Sequence, residues 1–277
     1  MKNNLTIAFI GGGNMAWALA SGLADRLCPA GNIQVIEIHD ETRQKWQSRG
    51  MTAHAAGSEA LTRADVWIYA VKPQVLAEVV AATRPYLRPD TLVLSVAAGI
   101  RGATLAQWLG SAAEPWRNVV RIMPNTPALV GAGTSGMAAL PGVDQAGRGI
   151  AEAIFTSVGQ VVWVEDDAAL DAVTALSGSG PAYVFLFIES LISGGLALGL
   201  SAQQARELAL GTLAGATRLA SESEDPPGML REKVTSKGGT TAAALAVFAE
   251  RGFADMVQDA MTAACRRSGE LADDAEK

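Results

Sequence analysis

Residues 5–23 read LTIAFIGGGNMAWALASGL, and the fold turns on them. An apolar run from Leu5 to Ile10 meets three consecutive glycines, and an Ala/Leu-rich stretch with helical spacing starts at Asn14. A buried strand, a tight turn and a helix follow from that pattern. GGGNMA, Gly11 to Ala16, fits the GxGxxA turn that receives a dinucleotide pyrophosphate, with Gly11, Gly13 and Ala16 at the small positions. Gly11 permits the turn, Gly13 lets backbone N–H groups approach the phosphates, and Ala16 lets the helix pack closely on the strand. A side chain at Gly13 would fill the phosphate's place.

The alternation of short apolar runs with longer amphipathic ones continues to about residue 164, as in βα units on a parallel sheet. Strands are expected at 5–10, 33–38, 66–70, 91–96, 119–123, 133–138 and 161–164, with helices at 14–27, 41–48, 73–86, 102–109 and 144–157. From Asp166 onward only Ala/Leu-rich helical stretches remain, punctuated by SGSGP, GLSAQ, SEDPPG and SKGGTT. The fold class is therefore α/β: a Rossmann-type, mainly parallel sheet over residues 1–164, then an all-helical domain over 165–277. SGSGPAY and SKGGTT both read as loops feeding helix N-termini. The acidic end, LADDAEK, reads as frayed.

Hydrophobic residues are 49% of the chain and aromatics only 5%, so the core must be built from closely packed Ala, Leu and Val. With 22 basic against 28 acidic residues and no Lys/Arg cluster, nucleic acid is not an expected partner. Cys28 and Cys265 stand apart without ligand spacing, and the N-terminal MKNN lacks signal-peptide character, so a reducing cytoplasm is expected. His39 and His54, the two histidines, are too few for an ordinary zinc site or a histidine-based triad, so no metal is expected. Pro181 to Leu200 has the length of a membrane span, but Glu189 in its middle makes a core or dimer-interface helix the better reading.

The second strand closes on Glu37, followed by Ile38 and His39, where the two nicotinamide dinucleotides are told apart. A carboxylate there accepts from ribose hydroxyls and repels a 2′-phosphate, which tilts NADPH or NADH toward NADH; alternatively Glu37 is a strand-end acid pointing elsewhere, or His39, also a candidate cofactor residue, pairs with a phosphate. Asn14 and Met15 in the glycine turn belong to the same candidate cofactor site. So do Val71, Lys72 and Pro73 of AVKPQ, Ala97, Ala98 and Gly99 of SVAAGI, and Asn125 of RIMPNTPALV. Small residues at 97–99 leave room for a flat ring, or simply pack. In the helical half, Ser236, Gly238, Gly239, Thr240 and Thr241 precede an Ala-rich helix, gathering N–H groups and hydroxyls that suit a carboxylate or form an ordinary capped turn. Ser177 and Ser179 either border a substrate or cap a helix.

Through GGGNMA, AVKPQ, SVAAGI, RIMPNTPALV, SGSGPAY and PGMLREKVTSKGGTTAAALAVFAERGF, the sequence resembles pyrroline-5-carboxylate reductase over nearly its whole length. The last segment is the family's signature; Lys237 stands where the family typically has Pro. The resemblance implies reduction of the cyclic imine 1-pyrroline-5-carboxylate to L-proline with NAD(P)H. It also implies an interlocked homodimer, of the kind that in the family often assembles further into rings. The substrate carboxylate would lie on Ser236 to Thr241, with Thr241 hydrogen-bonded to the ring nitrogen. The rivals are another dehydrogenase of similar architecture and a dinucleotide sensor without chemistry.

Overall fold

In the apolar N-terminal half the sequence forms β1 (Ile7–Ile10), α1 (Asn14–Leu23), β2 (Ile33–Ile36), α2 (Asp40–Gln47), β3 (Thr52–His54), β4 (Val66–Tyr69) and α3 (Pro73–Thr83). There follow β5 (Leu92–Ser95), α4 (Gly102–Leu109), β6 (Val119–Met123), β7 (Gly133–Ala139), α5 (Gln145–Thr156) and β8 (Gly159–Trp163). The helical half comprises α6 (Asp167–Val173), α7 (Gly180–Ala197), α8 (Ala202–Glu222), α9 (Pro227–Lys233), α10 (Thr240–Glu250) and α11 (Phe253–Ala275). This computed structural model describes residues 5–24 and 26–276; the readings of the MKNN terminus, of the expected first helix at Asp25 and of Lys277 lie outside the described residues.

The eight strands form one sheet in the order β3-β2-β1-β4-β5-β6-β7-β8, parallel except between β6 and β7. β1, β4 and β5 are buried along their whole length, as strands covered on both faces must be. The pleat splits the core: Ile7 and Phe9 join one cluster with Leu19, Trp46 and Phe155, while Ala8 and Ile10 join another with Tyr69, Leu76 and Leu105. β3 was not expected, because three residues with exposed Thr52 carry no apolar period; pairing with β2 alone makes it a strand.

The chain divides into two compact units, one running to Ser179 and resuming at Ala263, the other Gly180–Thr262. SGSGPAY is not a loop. Thr174–Gly178 is a π-helical turn between α6 and α7, with Ser179 N–H on the Thr174 carbonyl at 2.8 Å, and the helix runs on through Pro181. Widening by one residue just before a proline, which has no N–H to donate, lets a helix absorb residues that punctuate elsewhere.

The acidic end is not frayed either. α11 extends to Ala275, Ala272 is fully buried, and Ser268 Oγ donates to Asp171 Oδ1 at 2.7 Å. Arg101 reaches Asp273 at 2.7 Å and Glu276 at 3.0 Å, and hydrogen bonds to Glu276 and Asp273 hold its guanidinium above its usual pKa. The partners lie on the expected helix 102–109 side of the sheet, 172 or more residues away in sequence, so local reading could not pair them. Both ion pairs are solvent-accessible. Arg101→Ala should therefore destabilise the fold by only about 1 kcal/mol at low ionic strength and by less near ~0.5 M salt, a comparison urea midpoints at the two salt concentrations will make.

Candidate active site

The carboxyl ends of β1, β2, β4, β5 and β6 bring the expected cofactor residues to one edge of the sheet. Gly11 N–H bonds the Ile36 carbonyl at 2.9 Å, and its φ of +101° lies where L side chains are strained. A Cβ there would also stand 2.8 Å from Val71 and 2.9 Å from the Ala70 carbonyl, so sterics and backbone both demand glycine. Gly13 differs. It is the extended N-cap of α1, and a Cβ built on it meets nothing within 4 Å. Among the described residues no side chain caps α1, leaving the first-turn N–H groups at exposed Asn14 and half-buried Met15 without a side-chain acceptor. An open face over an uncapped helix start fits a pyrophosphate. Lys72 is the exposed N-cap of α3, and Pro73 opens that helix.

At the end of β2 the Glu37 carboxylate is tied down rather than free. Oε2 accepts from Gly12 N–H at 2.9 Å and Oε1 from His39 N–H at 2.8 Å. Arg43 is spent on the Glu37 and Ile38 carbonyls (2.8 and 2.7 Å) and on Asp40 (2.8 Å), so its charge is already answered. Trp46 donates its indole N–H to the Gly12 carbonyl at 3.2 Å. Gly12 and Trp46 were missed by sequence reasoning. The signals were a third glycine where the fingerprint needs two and a tryptophan alone in the polar helix DETRQKWQ.

Ala97 is buried and Ala98 half-buried; Gly99 has φ +68°, and a Cβ on it would meet Leu271 of α11 at 2.9 Å. Asn125 is a bridge: its Nδ2 donates to the Ser177 carbonyl and hydroxyl, both at 3.2 Å, while its Oδ1 accepts from Thr134 N–H at 2.9 Å. The structure thus joins Ser177 to the end of β6 and leaves Ser179 half-buried at the start of α7. Tyr69, the one phenol near these strand ends, is no proton source: burial raises its pKa and its hydroxyl is engaged with Thr83 at 2.8 Å.

The other unit carries the second group of expected residues. After α9, Ser236 and Lys237 are exposed, Gly238 turns the chain at φ +73°, and Gly239 is the N-cap of α10. Gly239 N–H closes the turn onto the Ser236 carbonyl at 3.0 Å. Among the described residues no side chain caps α10, so Thr240 and half-buried Thr241 open it with first-turn N–H groups that a carboxylate could accept.

Residues 167–271 match the family described as pyrroline-5-carboxylate reductase dimerisation, and residues 6–99 the family described as NADP oxidoreductase coenzyme F420-dependent. The chain is 44% identical to the pyrroline-5-carboxylate reductase of Pseudomonas aeruginosa over 96% of its own length and 97% of that protein's. Among solved structures it is similar to a pyrroline-5-carboxylate reductase from Coxiella burnetii, with a TM-score of 0.90, 36% identity, and 98% and 99% of the two chains covered. It is also similar to the pyrroline carboxylate reductase of Plasmodium falciparum with NADP bound, with a TM-score of 0.85, 31% identity and the same coverage, 98% and 99%.

Proposed function

The chain belongs to the pyrroline-5-carboxylate reductase family, and from that membership we propose how its own residues carry the reaction. It is an NAD(P)H-dependent oxidoreductase that reduces 1-pyrroline-5-carboxylate to L-proline, the final step of proline biosynthesis. It self-associates through its helical half.

Residues 1–164 serve as the dinucleotide-binding domain and 165–277 as the substrate-binding and dimerisation domain. Gly11, Gly13, Asn14 and Met15 cradle the pyrophosphate, while Val71 to Pro73, Ala97 to Gly99 and Asn125 border the rest of the dinucleotide. NAD(P)H, when bound, supplies the hydride that the imine carbon accepts. The protein's task is placement. Ser236, Gly238, Gly239 and Thr240 hold the substrate carboxylate on the uncapped start of α10, and Thr241 orients the ring nitrogen. A threonine hydroxyl is too weak an acid to be the sole proton source, so solvent or an already protonated imine supplies the proton. Ser177 and Ser179 border the substrate.

The observation that carries the reading is the Gly238 turn and the bare N-terminus of α10 in the family's signature segment. The exposed apolar surface of α7, with Val184, Phe185 and Leu186, packs on a second copy in an interlocked dimer, from which a ring of dimers can be built. The stretch Asp167–Ala197 is by length and composition apolar enough to cross a membrane, but we assign its apolar surface to that partner and the reaction to the cytoplasm.

NADH and NADPH oxidation with 1-pyrroline-5-carboxylate, against pyrroline lacking the carboxylate, tests the proposal. Turnover is expected only with the carboxylate present, with a higher kcat/KM for NADH because Glu37 faces the 2′ position. A preference for NADPH would sink the Glu37 argument, and no turnover in protein that binds dinucleotide would sink the substrate assignment.

A further inference from the structure

Two successive peptide planes of the glycine turn are gripped by side chains from outside it. Glu37 Oε2 accepts the Gly12 N–H at 2.9 Å, which fixes the Gly11–Gly12 plane. Trp46 Nε1–H donates to the Gly12 carbonyl at 3.2 Å, which fixes the Gly12–Gly13 plane. Because a trans peptide is planar, with its C=O and N–H pointing opposite ways, holding the Gly12 carbonyl toward α2 turns the Gly13 N–H away from α2.

The grip leaves no slack. A Cβ on Gly12 would lie 2.9 Å from Trp46 Nε1, closer than real side-chain carbons come, and 3.1 Å from Glu37 Oε2, a tight contact. Trp46 is completely buried, set edge-on to Trp17 at 5.4 Å and tilted against Phe9 at 5.6 Å. The indole therefore has one orientation and one acceptor. Glu37 is just as constrained: each carboxylate oxygen already accepts one N–H, leaving each a second lone pair.

We propose that Trp46 is a positioning residue for the dinucleotide: through the Gly12 peptide it presets the pyrophosphate turn and, with Glu37, locks turn and ribose recognition into a single unit. This rests on the reading that residues 11–16 and Glu37 hold the cofactor. Two properties follow. The turn is organised before the dinucleotide arrives, so little ordering is left to be done on binding. The Glu37 carboxylate cannot swing aside for a 2′-phosphate without releasing Gly12, so discrimination against NADPH is built into the turn itself.

Trp46→Phe removes the N–H and keeps a ring in the aromatic cluster. Loss of a hydrogen bond that orders the turn should raise KM for NADH about tenfold. The KM for the imine should hold, and kcat at saturating NADH should change less than about twofold, a split that mere loss of stability would not produce. Gly12→Ala should also raise KM for NADH about tenfold or more by driving a methyl into the indole nitrogen. In the double variant that nitrogen is gone, so the combined loss should fall well short of the product of the two. Calorimetric Kd values for NADH, with melting curves, accompany the kinetics. Should Trp46→Phe not fold, Gly12→Ala still reports, since a methyl accepted without change in NADH affinity means the turn is not gripped. Unchanged KM in folded Trp46→Phe, or strictly multiplicative effects in the double variant, overturns the proposal. A wild-type protein that binds neither dinucleotide overturns the cofactor-site reading instead.

Discussion

Gly13→Val should leave the protein folded and unable to bind its dinucleotide. Gly13 has φ −70° and ψ −174°, extended geometry that a β-branched residue adopts without strain, and a Cβ there meets nothing within 4 Å. The stability cost is that of a poor helix N-cap, about 1 kcal/mol, or roughly 2–4 °C in Tm for a domain of this size. The binding cost is far larger, because the isopropyl group fills the place of the pyrophosphate and turns it away from the first-turn N–H groups of α1; a loss of at least about 100-fold in affinity is expected from forfeiting several charge-assisted hydrogen bonds. Gly11→Val makes the contrast. There φ is +101° and the new atoms would meet Val71 and the Ala70 carbonyl, so folding itself should suffer. Melting curves paired with NADH titrations separate the two cases, and a Gly13→Val protein that still binds NADH with wild-type affinity would show that the phosphates lie elsewhere.

The contrast between these glycines marks how far sequence reading reaches. GGGNMA located the turn because strand, glycines and helix are adjacent in the chain, and β6 and α4 formed within their expected bounds for the same local reason. Gly12 drew no reading of its own, since what crowds it is Trp46, which arrives from the next helix. Asn125 was placed among the cofactor residues, and its three side-chain hydrogen bonds run to Thr134 and Ser177, partners no periodicity reveals. The tail was misjudged likewise: its acidic residues look solvated until Arg101 is brought beside them. Punctuation misled in SGSGPAY, where glycine and proline usually break a helix and here a π turn carries it through. What depends on neighbours in the chain was legible; what depends on partners brought by the fold was not.

Thr241→Ala is the sharpest test of the chemistry. Thr241 is the second residue of α10, and alanine is the better helix former, so the melting temperature should hold or rise slightly. The backbone N–H groups that would hold the substrate carboxylate survive the substitution, which leaves KM for the imine little changed. The dinucleotide residues lie in a separate compact unit, so NADH affinity should also stay within about twofold. The hydroxyl alone is lost, and with it the group that aligns the ring nitrogen while hydride reaches the adjacent carbon. Misorientation at the reacting centre costs rate rather than binding, so kcat should fall about 100-fold, the scale at which positioning and hydrogen bonding to a reacting group act. Thr241→Ser should restore most of it by returning the hydroxyl. Because a threonine hydroxyl does not titrate in the working range, the pH profile of kcat/KM should keep its shape in Thr241→Ala and only move down. A profile whose shape changes would make Thr241 part of the proton path, and unchanged turnover would remove it from the mechanism.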